Sequence, residues 1–367
     1  MFNKEMPFND LPLLPPIGFT QTENLLLHVI DATRELAELK VGGKVIPNQL
    51  VLLNTIPLIE AKMSSEIENI VTTQDEIFRY ASINPEKADS ATKEALMYKK
   101  ALIEGAEEIK RKPINENTMK KICSIILNQE MDIRNLSGTF IGDDRKERIY
   151  TPPEDKKRIQ NFLNNWSLFA ADSGKINPLI SMAILHYQYE AIHPFSDGNG
   201  RTGRILNILY LIQKDILEIP ILYLSKYILE HKSDYYTLLN EVTSKNNWNE
   251  WIEFMLVGTR ETAKWTKEKV MSINKLLEST KKHIRERLPN IYSHELVELL
   301  FTQPYCRINN LVEANIVKRQ SASEYLGKLV DIGILTLNDS RKTNLYINKR
   351  FYKLLTTESN EVGDFTV

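Results

Sequence analysis

The chain has 367 residues, of which 42% are hydrophobic and 26% charged, the make-up of a globular protein long enough for more than one domain. Lys and Arg number 47 against 48 Asp and Glu, and this balance excludes a surface built throughout to embrace nucleic acid or an anionic membrane. Cys123 and Cys306 stand far apart without metal-type spacing, which argues against a disulfide scaffold or a structural zinc site. No apolar run approaches the roughly 18–20 residues a bilayer demands, and the first residues lack a secretory pattern. The expectation is a soluble, cytoplasmic protein with no membrane partner.

Residues 1–19 are proline-rich and read as an extended arm. From about 20 to 39, Leu25, Leu26, Val29, Ile30, Leu36 and Leu39 recur at helical spacing, and Gly42 and Gly43 stop the helix. A second run, about 48–69, closes in Ser64-Ser65-Glu66-Ile67-Glu68-Asn69. Further helices are predicted near 73–80, 89–111, 115–129, 155–171, 177–191, 201–213, 226–244 and 248–283. Asn115 with Thr118, Asn177 before Pro178 and the Pro153-Glu154-Asp155 segment supply start signals.

One stretch, Ser137 to Pro153, alternates, turns at Gly-Asp-Asp and alternates again, as a β-hairpin does. Alone it is marginal, so it should lie on the helical body as a flap. After about 284 the pattern becomes three short helices (His294–Phe301, Ile308–Ala314, Ser321–Ile332) and two strands, 334–337 and 345–348. That is the order of a winged helix. The tail beyond Leu355 is acidic and polar and reads as frayed.

Residues 193–204, His-Pro-Phe-Ser-Asp-Gly-Asn-Gly-Arg-Thr-Gly-Arg, are the densest in special side chains. A loop with Gly198 and Gly200 that feeds a helix N-terminus points free N–H groups and the positive dipole end at an anion. Arg201 and Arg204 add planar cations for phosphate, and Asp197 a hard oxygen of the kind Mg²⁺ takes beside phosphate oxygens. His193 has the natural pKa for general-base work, and Phe195 reads as the apolar peg of the loop. Taken singly, each of these residues is more often structural. Together, within twelve residues, they favour a phosphate-handling site.

This string matches HxFx(D/E)GNGRxxR, and over roughly residues 48–260 the chain resembles the Fic family. The resemblance implies a protein adenylyltransferase that moves AMP from ATP to a Ser, Thr or Tyr hydroxyl, with Mg²⁺. It assigns His193 as catalytic base and Asp197 as the metal ligand. Gly198, Asn199 and Gly200 form the phosphate nest, with the Asn199 side chain on phosphate, and Arg201 and Arg204 take the β- and γ-phosphates. Phe195, Thr202 and Gly203 complete the ATP-binding set. Gly200, where a related phosphotransferase subgroup carries Lys, favours AMP transfer. Tyr236, beside Tyr235, is a candidate for the adenine wall, weighed evenly against core packing.

Ser64, Glu68 and Asn69 fit the family's inhibitory pattern (S/T)xxxE(G/N). By resemblance, Glu68 pairs with Arg204 and displaces the γ-phosphate; in some members the equivalent Glu directs a water that reverses the modification, and both readings stay open. The architecture expected is mostly α, a Fic-type helical core with a β-hairpin flap and a C-terminal winged-helix domain. The division is 1–110 (N-terminal helical region with the inhibitory helix at about 56–69), 111–260 (catalytic core), 261–284 (connecting helix), 285–355 (winged helix) and 356–367 (tail). The expected partners are a protein substrate, the chain itself included, and a DNA or protein partner of the winged helix. Arg341 and Lys342 in the wing are the first candidates for DNA phosphates. A DNA-binding regulator with a nucleotide-sensing Fic domain is the rival reading. The oligomeric state stays open, a homodimer included.

Overall fold

The computed structural model describes all residues except 1, 84, 136, 143–146, 341–342, 364 and 366–367. The N-terminal arm leads into α1 (Glu23–Gly42), whose first turn is capped by Thr22. Next come α2 (Leu50–Leu53) and α3 (Ile56–Ile67), then α4 (Gln74–Ser82), α5 (Ser90–Ile109) and α6 (Glu116–Leu127). Asp89 and Asn115 accept the unpaired N–H groups at the starts of α5 and α6. The flap follows as β1 (Ile141–Gly142) and β2 (Arg148–Tyr150), antiparallel, with Ile141 opposite Tyr150. Its expected turn at Asp143 and Asp144 lies outside the described residues.

The core is then built by α7 (Lys156–Ala171), α8 (Pro178–Ile192), α9 (Asn199–Gln213), α10 (Leu224–Glu230) and α11 (Lys232–Lys245). Pro178 opens α8, and every residue from Leu179 to Tyr189 is buried, as a helix apolar on all sides must be. The neighbours of α8 include α7, α9 and α12 (Trp248–Arg287). Trp166 and Trp251 hand their indole N–H groups to the Leu185 and Ala183 carbonyls, locking α7 and α12 onto it. The long α12 also packs along α1 and runs on into the C-terminal part of the chain.

There α13 (His294–Thr302), β3 (Tyr305–Cys306), α14 (Ile308–Glu313), α15 (Arg319–Asp331), β4 (Thr336–Ser340), β5 (Thr343–Ile347) and α16 (Lys349–Thr356) follow one another. The sheet order is β3-β5-β4, all antiparallel. The Tyr305 hydroxyl bonds Asp75 of α4, and Asn48 bonds Glu298, so this part rests on the N-terminal helices. Arg341 and Lys342 lie outside the described residues.

Several local expectations need correction. The run 48–69 is two helices, because Pro57 has no N–H to continue a helix through Thr55, whose hydroxyl turns back to the Val51 carbonyl. The run 226–244 breaks at His231, which leaves helical backbone and stacks on Tyr227. Gly42 lies inside α1, and Gly43 closes it in right-handed conformation. From Leu355 to Ser359 the chain is held, not frayed: the buried Lys269 amine donates to the carbonyls of Leu354, Thr357 and Ser359. No helix among the described residues is long and apolar enough to cross a membrane.

Candidate active site

The signature loop joins α8 to α9. His193 caps α8 in left-handed conformation (φ 48°, ψ 62°), its N–H bonding the Tyr189 carbonyl at 3.0 Å. Gly198 caps α9, also left-handed at φ 77°. A side chain there would crowd the Cys123 sulfur and Leu127, so glycine is required for space as well as for conformation. The loop is closed from within by Asn199. Its Oδ1 accepts from the Phe195 N–H at 2.9 Å, and its Nδ2 donates to the Phe195 carbonyl at 2.8 Å.

Each end of the amide thus serves the loop's backbone, and Nδ2 keeps a second N–H that these two bonds do not use. Phe195 is fully buried, as a peg should be. Thr202 is buried too, on the side of α9 that faces Cys123 and Tyr189, away from the open end of the helix. Both side chains pack inward. The start of α9 is left with the N–H groups that no helix satisfies within itself.

A residue the sequence reading missed holds this loop from outside. Arg134, buried between the flap and α8, donates from Nε to the His193 carbonyl at 2.7 Å. Its Nη2 donates to the carbonyls of Pro153 (2.6 Å) and Ile192 (3.2 Å). The only sequence signal is a cation flanked by Ile133 and Leu136 just before the flap. Tyr150 of β2 adds a bond to the Ala191 carbonyl at 2.8 Å. The flap and the signature loop are thereby one braced unit.

Burial, with the Arg134 charge adding to it, pushes the His193 imidazole down to about 4, while Glu68 and the Glu190 carbonyl pull the other way. The ring is therefore neutral at physiological pH and able to accept a proton. Asp197 is mostly exposed; its Oδ1 accepts from the Gly198 N–H at 2.5 Å and from Arg201 Nη2 at 3.2 Å. Among the described residues no group of three acidic, His or Cys side chains gathers in one place. A cation here would have one protein carboxylate and would take its other oxygens from ligand and water, an arrangement that suits Mg²⁺ with a nucleotide.

Both arginines of the signature are engaged by carboxylates from the N-terminal helices. Arg201 pairs with Glu94 of α5 as well as with Asp197. Arg204 is almost wholly buried and gives Nε to Ser64 Oγ at 2.8 Å, Nη2 to the Ser64 carbonyl at 2.9 Å and Nη2 to Glu68 Oε1 at 2.7 Å. Burial alone would raise the Glu68 carboxyl, but Arg204, then Arg201 and His193, outweigh it and hold it below its usual value. Gly200 marks how close this comes: a β-carbon there would overlap Glu68 Oε1 and touch Arg204. Asn69, next along, is left-handed at φ 60°, which Asn tolerates, and its Oδ1 accepts from Lys232 at 3.3 Å.

Tyr236 lies half-buried beside Tyr235 and lines a narrow slot between the flap and α11, with Ile141, Ile149, Leu239 and Glu190 among its walls. Tyr235 is core, its hydroxyl 2.9 Å from His186 Nε2. A much larger opening, of about 650 Å³, runs past Asp197, Glu94 and Lys93 between α5 and α6.

Family models agree with this geometry. The Fic/DOC family N-terminal model matches residues 26–107, and the Fic/DOC family model matches 113–211, which holds the loop and both of its helices. The chain carries both Fic/DOC family domains. Its residues 276–351 match the C-terminal domain of "protein adenylyltransferase SoFic-like". The protein adenylyltransferase Fic of Nematostella vectensis is 35% identical over 95 residues, 26% of this chain and 21% of that protein. That of Aedes aegypti is 28% identical over 127 residues, 33% of this chain and 24% of the relative. The matches thus span less than a quarter of these curated relatives' length.

A Fic family protein from Desulfovibrio desulfuricans G20 superposes with a TM-score of 0.56 at 18% identity, over 90% of this chain and 97% of that one. A Fic domain containing signaling protein from Bacteroides thetaiotaomicron gives 0.54 at 19%, over 67% and 97%. At such identities the likeness speaks for the Fic fold alone.

Proposed function

We propose that this Fic protein is a protein adenylyltransferase, moving AMP from ATP to a Ser, Thr or Tyr hydroxyl of a protein, and that Glu68 restrains it. In this reading the first turn of α9 receives the phosphates with its free N–H groups. Arg201 faces the β-phosphate, and Arg204 takes the γ-phosphate once Glu68 lets go. His193, neutral through burial, removes the proton from the target hydroxyl. The hydroxyl oxygen forms a bond to the α-phosphorus as the bond to the bridging oxygen breaks, and pyrophosphate leaves. Asp197 would hold Mg²⁺ among the phosphate oxygens, where the ion supplies charge neutralisation. Tyr236 would wall the base, and the flap would register the target segment through main-chain pairing.

The observation that carries this reading is the hold of Glu68 and Ser64 on Arg204 over the open face of Gly200. It supports a brake more directly than a water-directing role for Glu68, since Oε1 is committed to the guanidinium. The related enzymes are named adenylyltransferases, which favours nucleotide transfer over phosphorylation. For the C-terminal part, contact with protein is favoured over DNA: Lys328 on α15 bonds Glu324, and Arg319 bonds Asn309.

The test incubates the Glu68→Gly protein and a lysate with ATP labelled at the α- or the γ-phosphate. Label from the α-position alone is expected on protein, and none when His193→Ala is added. Label from the γ-position, or from neither, overturns the reading.

A further inference from the structure

The helix that carries the brake holds a second carboxyl group, which has no part in the chemistry above. Glu60 lies on α3, four residues before Ser64 and eight before Glu68, a spacing that keeps the three toward one side of the helix. It is 1% exposed. Among the described residues its hydrogen bonds come from neutral groups. Ser225, at the start of α10, gives its N–H to Oε2 at 3.0 Å and its hydroxyl to Oε1. The buried Tyr98 of α5 gives its hydroxyl to Oε1 at 3.1 Å. Both α10 and α5 are helices against which α3 packs. The Tyr98 hydroxyl also stands beside Ser64, whose own oxygen accepts from Arg204 Nε. A buried polar thread thus runs from Ser225 through Glu60, Tyr98 and Ser64 to the guanidinium that Glu68 holds.

An apolar side chain in this place would avoid the cost of desolvating a carboxyl group. What Glu60 adds is direction. The rest of the buried face of α3 includes Ile56, Leu58, Ile59, Ala61 and Ile67, and apolar packing has no preferred angle. It resists the parting of helices more than the slip of one along another. A slip of one residue moves a side chain about 1.5 Å along the axis and about 100° around it. That is enough to take Glu68 Oε1 off Arg204 Nη2, now 2.7 Å away. Ser64 and Glu68 both hold Arg204, the group that the nucleotide would also take. Glu60 instead ties the helix to groups that the nucleotide does not seek, and a satisfied buried network of this kind fixes one arrangement.

We propose that Glu60 is the positioning residue of the brake: through Ser225 and Tyr98 it sets the register of α3 and so the place of Glu68 on Arg204. The inference rests on the reading of Glu68 as a restraint and adds the residue that aims it.

The experiment follows label from the α-phosphate of ATP onto lysate protein, and ATP affinity by calorimetry. The full-length parent, Glu60→Met, Glu60→Gln and Ser225→Ala are compared, each with and without Glu68→Gly. Methionine keeps the length and helix preference of the side chain and removes its acceptors. Glu60→Met is expected to transfer about fivefold faster than the parent and to bind ATP more tightly by a like factor, roughly the worth of one net hydrogen bond. Glu60→Met/Glu68→Gly should match Glu68→Gly, because the aim of an absent carboxylate has no effect. Glu60→Gln keeps an oxygen for the Ser225 N–H, and the Ser225 hydroxyl can accept from its amide, so it should stay near the parent. Ser225→Ala should shift transfer in the same direction as Glu60→Met by less, and it decides the matter if Glu60→Met does not fold. Transfer by Glu60→Met equal to the parent, a loss in both backgrounds, or a gain that persists beside Glu68→Gly removes Glu60 from the brake and leaves the brake standing. If Glu68→Gly is itself no faster than the parent, the brake and the inference fall together.

Discussion

Glu68 Oε1 lies 2.7 Å from Arg204 Nη2, although the two residues are 136 positions apart. The fold joins the C-terminal cap of α3 to the second turn of α9, and Ser64, one turn earlier, holds the same guanidinium at a second nitrogen. The pair is enclosed enough that breaking it from one side leaves a buried cation without its partner. Glu68→Gly is therefore expected to bind ATP at least tenfold more tightly and to transfer faster. The same variant should be less stable without nucleotide, by on the order of 2 kcal/mol once the partial exposure of Glu68 is allowed for. Melting scans with and without ATP check both: the deficit should shrink as ATP is added.

Gly200 tests the same geometry from the other partner. The space above its Cα is filled by the Glu68 carboxylate, and in the proposed reaction a phosphate would take that space. Gly200→Ala should expel Glu68 without admitting the nucleotide. Transfer is expected to stay at background in Gly200→Ala and in Gly200→Ala/Glu68→Gly alike. Activity in the double variant near that of Glu68→Gly would show that the space is not shared.

The signature was legible because it is a contiguous string whose spacing alone is specific, and the shorter string Ser64 to Asn69, weak by itself, gained its weight from standing beside it. The core helices were legible from apolar periodicity and from caps such as Asn115 and Asn177, whose side chains bond the first-turn N–H groups as read. Arg134 was not, because its three acceptors lie ahead of α7 and at the end of α8, places that only the folded chain brings together. The inward turn of Asn199 was hidden for a related reason: an amide can serve a ligand or its own backbone, and the sequence does not say which. The stretch just past Leu355 was misread because its order depends on Lys269, nearly ninety positions earlier, and composition carries no trace of that contact.

Arg134→Met should retain the volume of the side chain and remove its bonds to the His193, Ile192 and Pro153 carbonyls. The loss of charge-assisted bonds in a buried place is expected to cost about 2–3 kcal/mol. In the Glu68→Gly background the turnover should fall at least tenfold while the ATP affinity changes little, since the arginine braces the base and not the phosphates. Turnover and KM measured separately decide it; an equal loss in both would point to general collapse of the loop.

The pH dependence follows from His193 and its neighbour in the core. Burial pushes the His186 ring down to about 3 and, with Arg134, the His193 ring down to about 4, against an ordinary value near 6.5. Between those limits the unfolded chain binds protons that the folded chain refuses, so these groups make stability rise with pH. Their contribution is present above about 6.5 and is lost as the pH falls toward 4 and then 3. Transfer by Glu68→Gly should show no histidine-like drop between pH 8 and pH 6, because the base is already neutral there; removing Glu68 also removes a charge that favours the imidazolium. Rate profiles of Glu68→Gly, with urea melts of the parent and His186→Gln at pH 4.5 and 7, measure the two effects. A midpoint near 6.5 in the rate would mean that His193 is exposed in solution, and the buried base would have to be given up.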